Sequence, residues 1–184
     1  MLDRIALITG NAGKAAEYTA MLGIEVTAAK AELTEIQSLD VAEVAARKAA
    51  DAYAQLGEPV LVDDTGLTIH AWHGLPGALV AWFLDTVGAQ GILAMAAGLT
   101  DRSATVSTAL GYATAGGVRV FQGTVNGSLA TEPRGTSGFG YDSIFIPDSD
   151  TSQRTYAQMT SEEKNKISHR RHAVEEMRSA LGLT

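Results

Sequence analysis

The sequence predicts an α/β protein built on one mixed β-sheet with helices packed against it. Short aliphatic runs at 5–9, 24–28 and 60–62 alternate with segments of helical spacing, the order of strands joined by crossover helices. A later pair of strand-like runs, 104–113 and 118–125, flanks the turn signal Ala115-Gly116-Gly117 and predicts an antiparallel hairpin. No internal repeat, low-complexity tract or linker divides the chain. All 184 residues, 1–184, are therefore expected to form a single domain.

The first run is mostly aliphatic and ends at the turn Gly10-Asn11-Ala12-Gly13. Helical spacing follows, with Ala16, Ala20 and Met21 expected to face inward, until Gly23 breaks it. A second strand is expected at 24–28. The clearest helix covers 40–56, where Val41, Val44, Ala45, Ala49, Ala52, Tyr53 and Leu56 share one face and Asp40 is placed to cap the first turn. Pro59 then leads into Val60-Leu61-Val62, a strand expected to end at Asp63-Asp64. A glycine- and tryptophan-containing stretch at 72–77 precedes two short helices near 79–86 and 89–97. In the hairpin, Val106, Thr108, Leu110 and Tyr112 fall on one face. Residues 131–140 read as a loop, 144–146 as a short strand, and Thr160-Ser161-Glu162-Glu163 as the capping box of one last helix carrying Ile167, Val174, Met177 and Leu181 on one side.

Composition narrows the function classes. The chain is 46% hydrophobic and 19% charged, an ordinary globular balance, and without cysteine it excludes disulfides, thiolate-bound zinc and thiol nucleophiles. The net charge is -7 and no run of Lys and Arg is longer than a pair, so the concentrated positive field that a nucleic-acid polymer requires is missing. No apolar stretch has the length of a signal peptide or a membrane span. A cytoplasmic protein without a membrane partner is expected.

Five segments carry candidate chemistry. Thr9-Gly10-Asn11-Ala12-Gly13-Lys14 turns from a strand into a helix, which offers backbone N–H groups and a lysine to an anion; locally it fits a plain strand–helix turn equally well, and it is not a Walker loop. Asp63-Asp64 follows an apolar strand, where open α/β sheets bind ligands, and two adjacent carboxylates call for a cation, for which Mg2+ is suited. Lys48 occupies a vacancy in the apolar stripe of its helix and needs either an anion or a snorkelling path to water, whereas Arg47 falls off the stripe. Lys164, Ser168, His169 and Arg170 gather donors near one helix end; His169 and His172 lack a third ligand pattern for zinc, and His70 and His73 read as surface histidines. Gly138-Phe139-Gly140-Tyr141-Asp142 allows an aromatic ring to stack on a base, or equally to cap the core. Glu35 alone is anonymous.

Together these segments resemble the inosine triphosphate pyrophosphatase family, which removes non-standard purine nucleoside triphosphates. The resemblance rests on the first loop, Glu35-Ile36-Gln37, Val62-Asp63-Asp64-Thr65-Gly66-Leu67, Gly138 to Asp142, and Glu163-Lys164 followed by Ser168-His169-Arg170. It spans nearly the whole chain, in order. It implies an elongated mixed sheet with two lobes around a central substrate cleft, a homodimer, Mg2+, and hydrolysis of ITP, dITP or XTP to monophosphate and pyrophosphate. It further implies that Thr9, Gly10, Asn11, Ala12, Gly13 and Lys14 bind the triphosphate, and that Glu35 and Asp64 hold the metal. By the same resemblance Asp64 is the proton acceptor, assisted by Lys14 and Lys48. Thr65, Phe139, Gly140, Tyr141, Asp142, Lys164, His169 and Arg170 match substrate-binding positions. Leu79 departs from the tyrosine or serine that many relatives carry. The rivals are the related septum-protein class of nucleotide pyrophosphatases and a nucleotide sensor without turnover.

Overall fold

A computed structural model describes residues 4–9 and 12–183. Gly10 and Asn11, expected in the phosphate loop, lie outside the described residues, as do the side chains of Ala12, Gly13 and Ala16. The strands are β1 (Arg4–Ile8), β2 (Glu25–Ala29), β3 (Val60–Ile69), β4 (Pro76–Gly77), β5 (Ser103–Thr114), β6 (Gly117–Leu129) and β7 (Phe145–Pro147). The helices are α1 (Ala12–Leu22), α2 (Val41–Leu56), α3 (Val80–Thr86), α4 (Gly88–Met95), α5 (Ser161–Ile167) and α6 (His169–Leu181). The strands form one seven-stranded mixed sheet in the order β2-β1-β3-β5-β6-β7, with β4 on the side of β3. The expected α/β architecture is the one observed.

β3 organises the sheet. It pairs in parallel with β1 only from Val60 to Val62, but antiparallel with β5 along its whole length, from Val60↔Ala113 to Ile69↔Ala104. β4 takes up the other side of β3 at Leu67 and Thr68. Between these two partners, 63–66 is flanked on that side by no strand among the described residues, and a crevice opens there.

The acidic pair therefore does not follow the end of a strand, as expected, but lies inside one. Ladder pairing with β5 satisfies the backbone there, and strand alternation sends the two carboxylates to opposite faces of the sheet. Leu61 and Asp63 face α1 and α6, where Ile5, Leu7, Tyr18, Leu110, Phe121, Val174 and Met177 form one core. Val60, Val62 and Asp64 face α2, whose Ala45, Ala49 and Ala52 pack with Ala109 and Ala113. A third core, including Leu67, Ile69, Val106, Tyr141, Phe145 and Tyr156, fills the far end of the sheet beneath α3 and α4.

α2 follows its periodicity except at its last residue, Leu56, which is exposed because the helix end runs past the sheet it packs on; Asp40 accepts from the amide of Ala42 as N-cap, and Gly57 ends the helix in the left-handed region. Three further expectations need correction. Ala20 of α1 is exposed, and the buried face is Ala15, Tyr18, Met21 and Leu22, because an alanine-rich stretch carries little information about phase. The hairpin strand expected to stop at 125 continues to Leu129. The final helix is two helices. Ser168 is extended (φ -78, ψ 152) and its hydroxyl accepts from the amide of Arg171, ending α5 and starting α6.

Candidate active site

The crevice beside β3 is a cleft of about 250 Å³, and most of the residues singled out in the sequence line it. Lys14 sits in the first turn of α1, and Tyr18, four residues on, shares its face. Both reach Asp63. The Lys14 ammonium donates to both carboxylate oxygens at 3.1 Å and the Tyr18 hydroxyl to one at 3.2 Å. From α6, Arg170 donates through Nη2 to Asp63 at 3.4 Å and through Nε to the Tyr18 oxygen at 3.2 Å. Burial alone would raise the Asp63 carboxyl, but the Lys14 and Arg170 charges beside it outweigh this and hold it below its ordinary range.

On the other face of β3, Lys48 bridges two acids, donating to Glu35 Oε1 at 2.6 Å and to Asp64 Oδ1 at 2.8 Å. Burial disfavours the Lys48 ammonium, yet these two partners raise its pKa and keep it charged. Asp64 is pushed up to about 6, chiefly by burial, with Lys48 opposing the shift. Its second oxygen, Oδ2, is buried and accepts no hydrogen bond among the described residues. Arg47 pairs instead with Asp51 at 3.3 Å on the helix exterior, so Lys48 is the α2 cation that lines the cleft.

At the other end, the loop before β7 supplies Phe139, Gly140, Tyr141 and Asp142. Asp142 accepts from the Phe139 amide at 2.8 Å and from the Lys164 ammonium. Phe139 is half exposed, with Lys164 Nζ 4.9 Å and the Arg170 guanidinium carbon 5.8 Å from its ring centroid. Ala78, Val80, Ala81 and Leu84 face these groups as an apolar wall that the sequence did not announce. Tyr141 and His169 hydrogen-bond at 3.2 Å, and Thr65 lines the cleft beside them. Burial, reinforced by Arg170 and Lys164, pushes His169 well below its usual range, so the ring is neutral.

Some expected residues stand elsewhere. Thr9 borders a neighbouring groove that shares Glu35 and Lys48 with the cleft. His172 approaches the Thr124 carbonyl at 2.9 Å, and His70 lies between the hydroxyls of Ser103 and Thr105. Leu79 borders a side groove with Trp82. Among the described residues no group of three or more His, Asp or Glu side chains is arranged to hold a metal ion. Glu35 and the unpartnered Asp64 oxygen fit a hard divalent cation that takes few carboxylates and completes its shell with phosphate and water. Tyr18 escaped the sequence reading altogether; its i,i+4 spacing from Lys14 was the available signal.

A mixed sheet whose crevice is lined by Lys14 and Lys48 at one end, and by Lys164, Asp142 and the Phe139 ring at the other, defines an α/β protein with a charged cleft beside its central strand. The chain belongs to the Ham1 family, whose model matches residues 5–180. It is 43% identical over 176 residues to a dITP/XTP pyrophosphatase of Methanopyrus kandleri, covering 94% of this chain and 93% of that one. It is 42% identical over 184 residues to an inosine triphosphate pyrophosphatase of Yarrowia lipolytica, covering 96% and 95%. Among solved structures, a HAM1 protein of Coxiella burnetii superposes with a TM-score of 0.86 at 32% identity, covering 98% of this chain and 99% of that one.

Proposed function

We propose that this protein is a cytoplasmic, homodimeric enzyme that hydrolyses ITP, dITP and XTP to the monophosphate and pyrophosphate with the aid of Mg2+. The names of the relatives support the substrate class, and one observation carries the chemistry: Asp64, which lines the cleft with Lys14 and Lys48, keeps a buried carboxylate oxygen that has no hydrogen-bond partner among the described residues. When bound, the metal supplies charge neutralisation on the phosphates, and Glu35 and Asp64 would hold it.

Lys14 and Lys48 offer ammonium groups to the phosphates. Each is already balanced by a carboxylate, so an incoming polyanion exchanges partners with them and does not meet bare charges. Asp64, ionised at neutral pH, orients a water and accepts its proton as that water attacks the α-phosphorus. Pyrophosphate leaves. Positioning and electrostatics do most of the work.

At the base end, Phe139 provides a stacking face. Lys164 is a donor and Asp142 an acceptor, held side by side by their own contact. That pair matches the 6-oxo group and N1–H of hypoxanthine and xanthine, and it mismatches adenine, which presents an amine and a bare nitrogen there. Adenine would set a donor against the Lys164 ammonium and an acceptor against the Asp142 carboxylate, two repulsive contacts that disfavour it.

The test is pyrophosphate and orthophosphate release from ITP, XTP, GTP, ATP and CTP, with Mg2+ and with EDTA. Metal-dependent pyrophosphate from ITP and XTP, well above that from ATP, is expected. Orthophosphate as the first product would overturn the reading. Asp64→Asn should lower kcat for ITP by at least 100-fold, on the scale of losing a general base.

A further inference from the structure

The hydroxyl of Tyr18 has no part in the steps above. The side chain is fully buried behind the cleft and does not line it. Burial first, and then the Asp63 carboxylate, push its phenol well above the ordinary range, so it keeps its proton and can donate. Its contacts join two groups that do line the cleft. It accepts from Arg170 Nε at 3.2 Å and donates to Asp63 Oδ2 at 3.2 Å, while Arg170 Nη2 reaches the same oxygen at 3.4 Å. The Arg170 guanidinium carbon also lies 5.9 Å from the Tyr18 ring and 5.8 Å from that of Phe139.

Two guanidinium nitrogens are thus turned inward. Nη1 is the remaining one, and among the described residues it makes a long approach of 3.9 Å to Glu17. Lys14 sits on the same Asp63 carboxylate, so the cation at the phosphate end and the arginine at the base end share one anchor.

We propose that the Tyr18 hydroxyl is a positioning group for base discrimination, fixing the Arg170 guanidinium beside the Phe139 ring, where it lines the cleft. The proposal rests on the purine reading above. Without the hydroxyl, the buried Nε–H loses its partner and the guanidinium rotates to recover one, from Asp63 or Glu17. The planar fork of arginine makes such rotation costly to recognition, because its donors move together.

Tyr18→Phe keeps the ring and its packing against the surrounding core, and removes one oxygen. The experiment measures kcat/KM for ITP and for ATP in the wild type, Tyr18→Phe, Arg170→Lys and the double variant, with melting temperatures as a control on folding. Tyr18→Phe is expected to shrink the ITP:ATP ratio about tenfold, the scale of one lost hydrogen bond to a charged group. In the Arg170→Lys background, which has no Nε–H to hold, it should shrink the ratio no further. An unchanged ratio in Tyr18→Phe, an equal loss on ITP and ATP, or the same extra loss in the Arg170→Lys background would each overturn the proposal. A wild type without preference for ITP over ATP would sink the purine reading and this inference together.

Discussion

Asp63 and Asp64 are the same residue type one position apart, and their surroundings drive them in opposite directions. Asp63 is held low by two cations, and Asp64 is raised by burial that Lys48 only partly offsets. The Lys48 ammonium lies between Glu35 and Asp64, where a divalent ion would take its ligands. Lys48→Met should therefore bind Mn2+ in the absence of nucleotide at least several-fold more tightly than the wild type, as read by calorimetry; equal affinity would show that the ammonium does not compete. His169 makes a separate prediction about stability. Its folded pKa lies well below the ordinary value near 6.5, so below that pH the unfolded chain takes up a proton that the folded ring refuses. Its contribution is complete above about pH 6.5 and is lost as pH falls, by up to about 1.4 kcal/mol per pH unit. Urea midpoints of wild type and His169→Asn should diverge least in the acid range and most near neutrality, with the shallower acid slope in the variant.

The elements differ in how legible they were. α2 could be read from its cap to Tyr53, because a strong apolar period and an acidic N-cap agree, and only Leu56 at its last turn is exposed against expectation. β3 could be read only as far as Val62: charged side chains at 63 and 64 end an apolar run, although the backbone ladder with β5 continues beneath them. Pairing partners decide strand length, and a single segment does not show its partner. The site was legible in its residues more than in its geometry. Lys14, Lys48, Asp64, Phe139, Asp142, Lys164, His169 and Arg170 were all singled out, but nothing in the pattern said that the acidic pair would split across two faces or that Tyr18 would join Asp63 to Arg170. The break at Ser168 was hidden for a related reason, since a hydroxyl inside a helical pattern is compatible with continuation or with a new cap. Ser168→Ala should cost about 1 kcal/mol by chemical denaturation, as lost N-caps do. Turnover of ITP should fall as well, since the next two residues of α6 are His169 and Arg170.

Across the whole molecule, the cleft is assembled from both ends of the chain; Tyr18 and Arg170 are 152 positions apart in sequence and in direct contact. Ligand bound there should stabilise the fold as one unit. A non-hydrolysable ITP analogue with Mg2+ at 100 times its Kd should add about 2.7 kcal/mol in a single melting transition. Two transitions, only one of them shifted, would show that the ends fold apart. The same assembly depends on how closely helices can approach the sheet. A side chain on Gly111 would meet the Ala45 carbonyl of α2 at 2.4 Å, and one on Gly123 the amide of Ala173 in α6 at 2.4 Å. These two absences of a β-carbon set the height at which Lys48 and Arg170 stand above β3. In a saturation-mutagenesis map scored on catalysis, Gly111 and Gly123 would appear as dark columns beside Asp64, although neither lines the cleft.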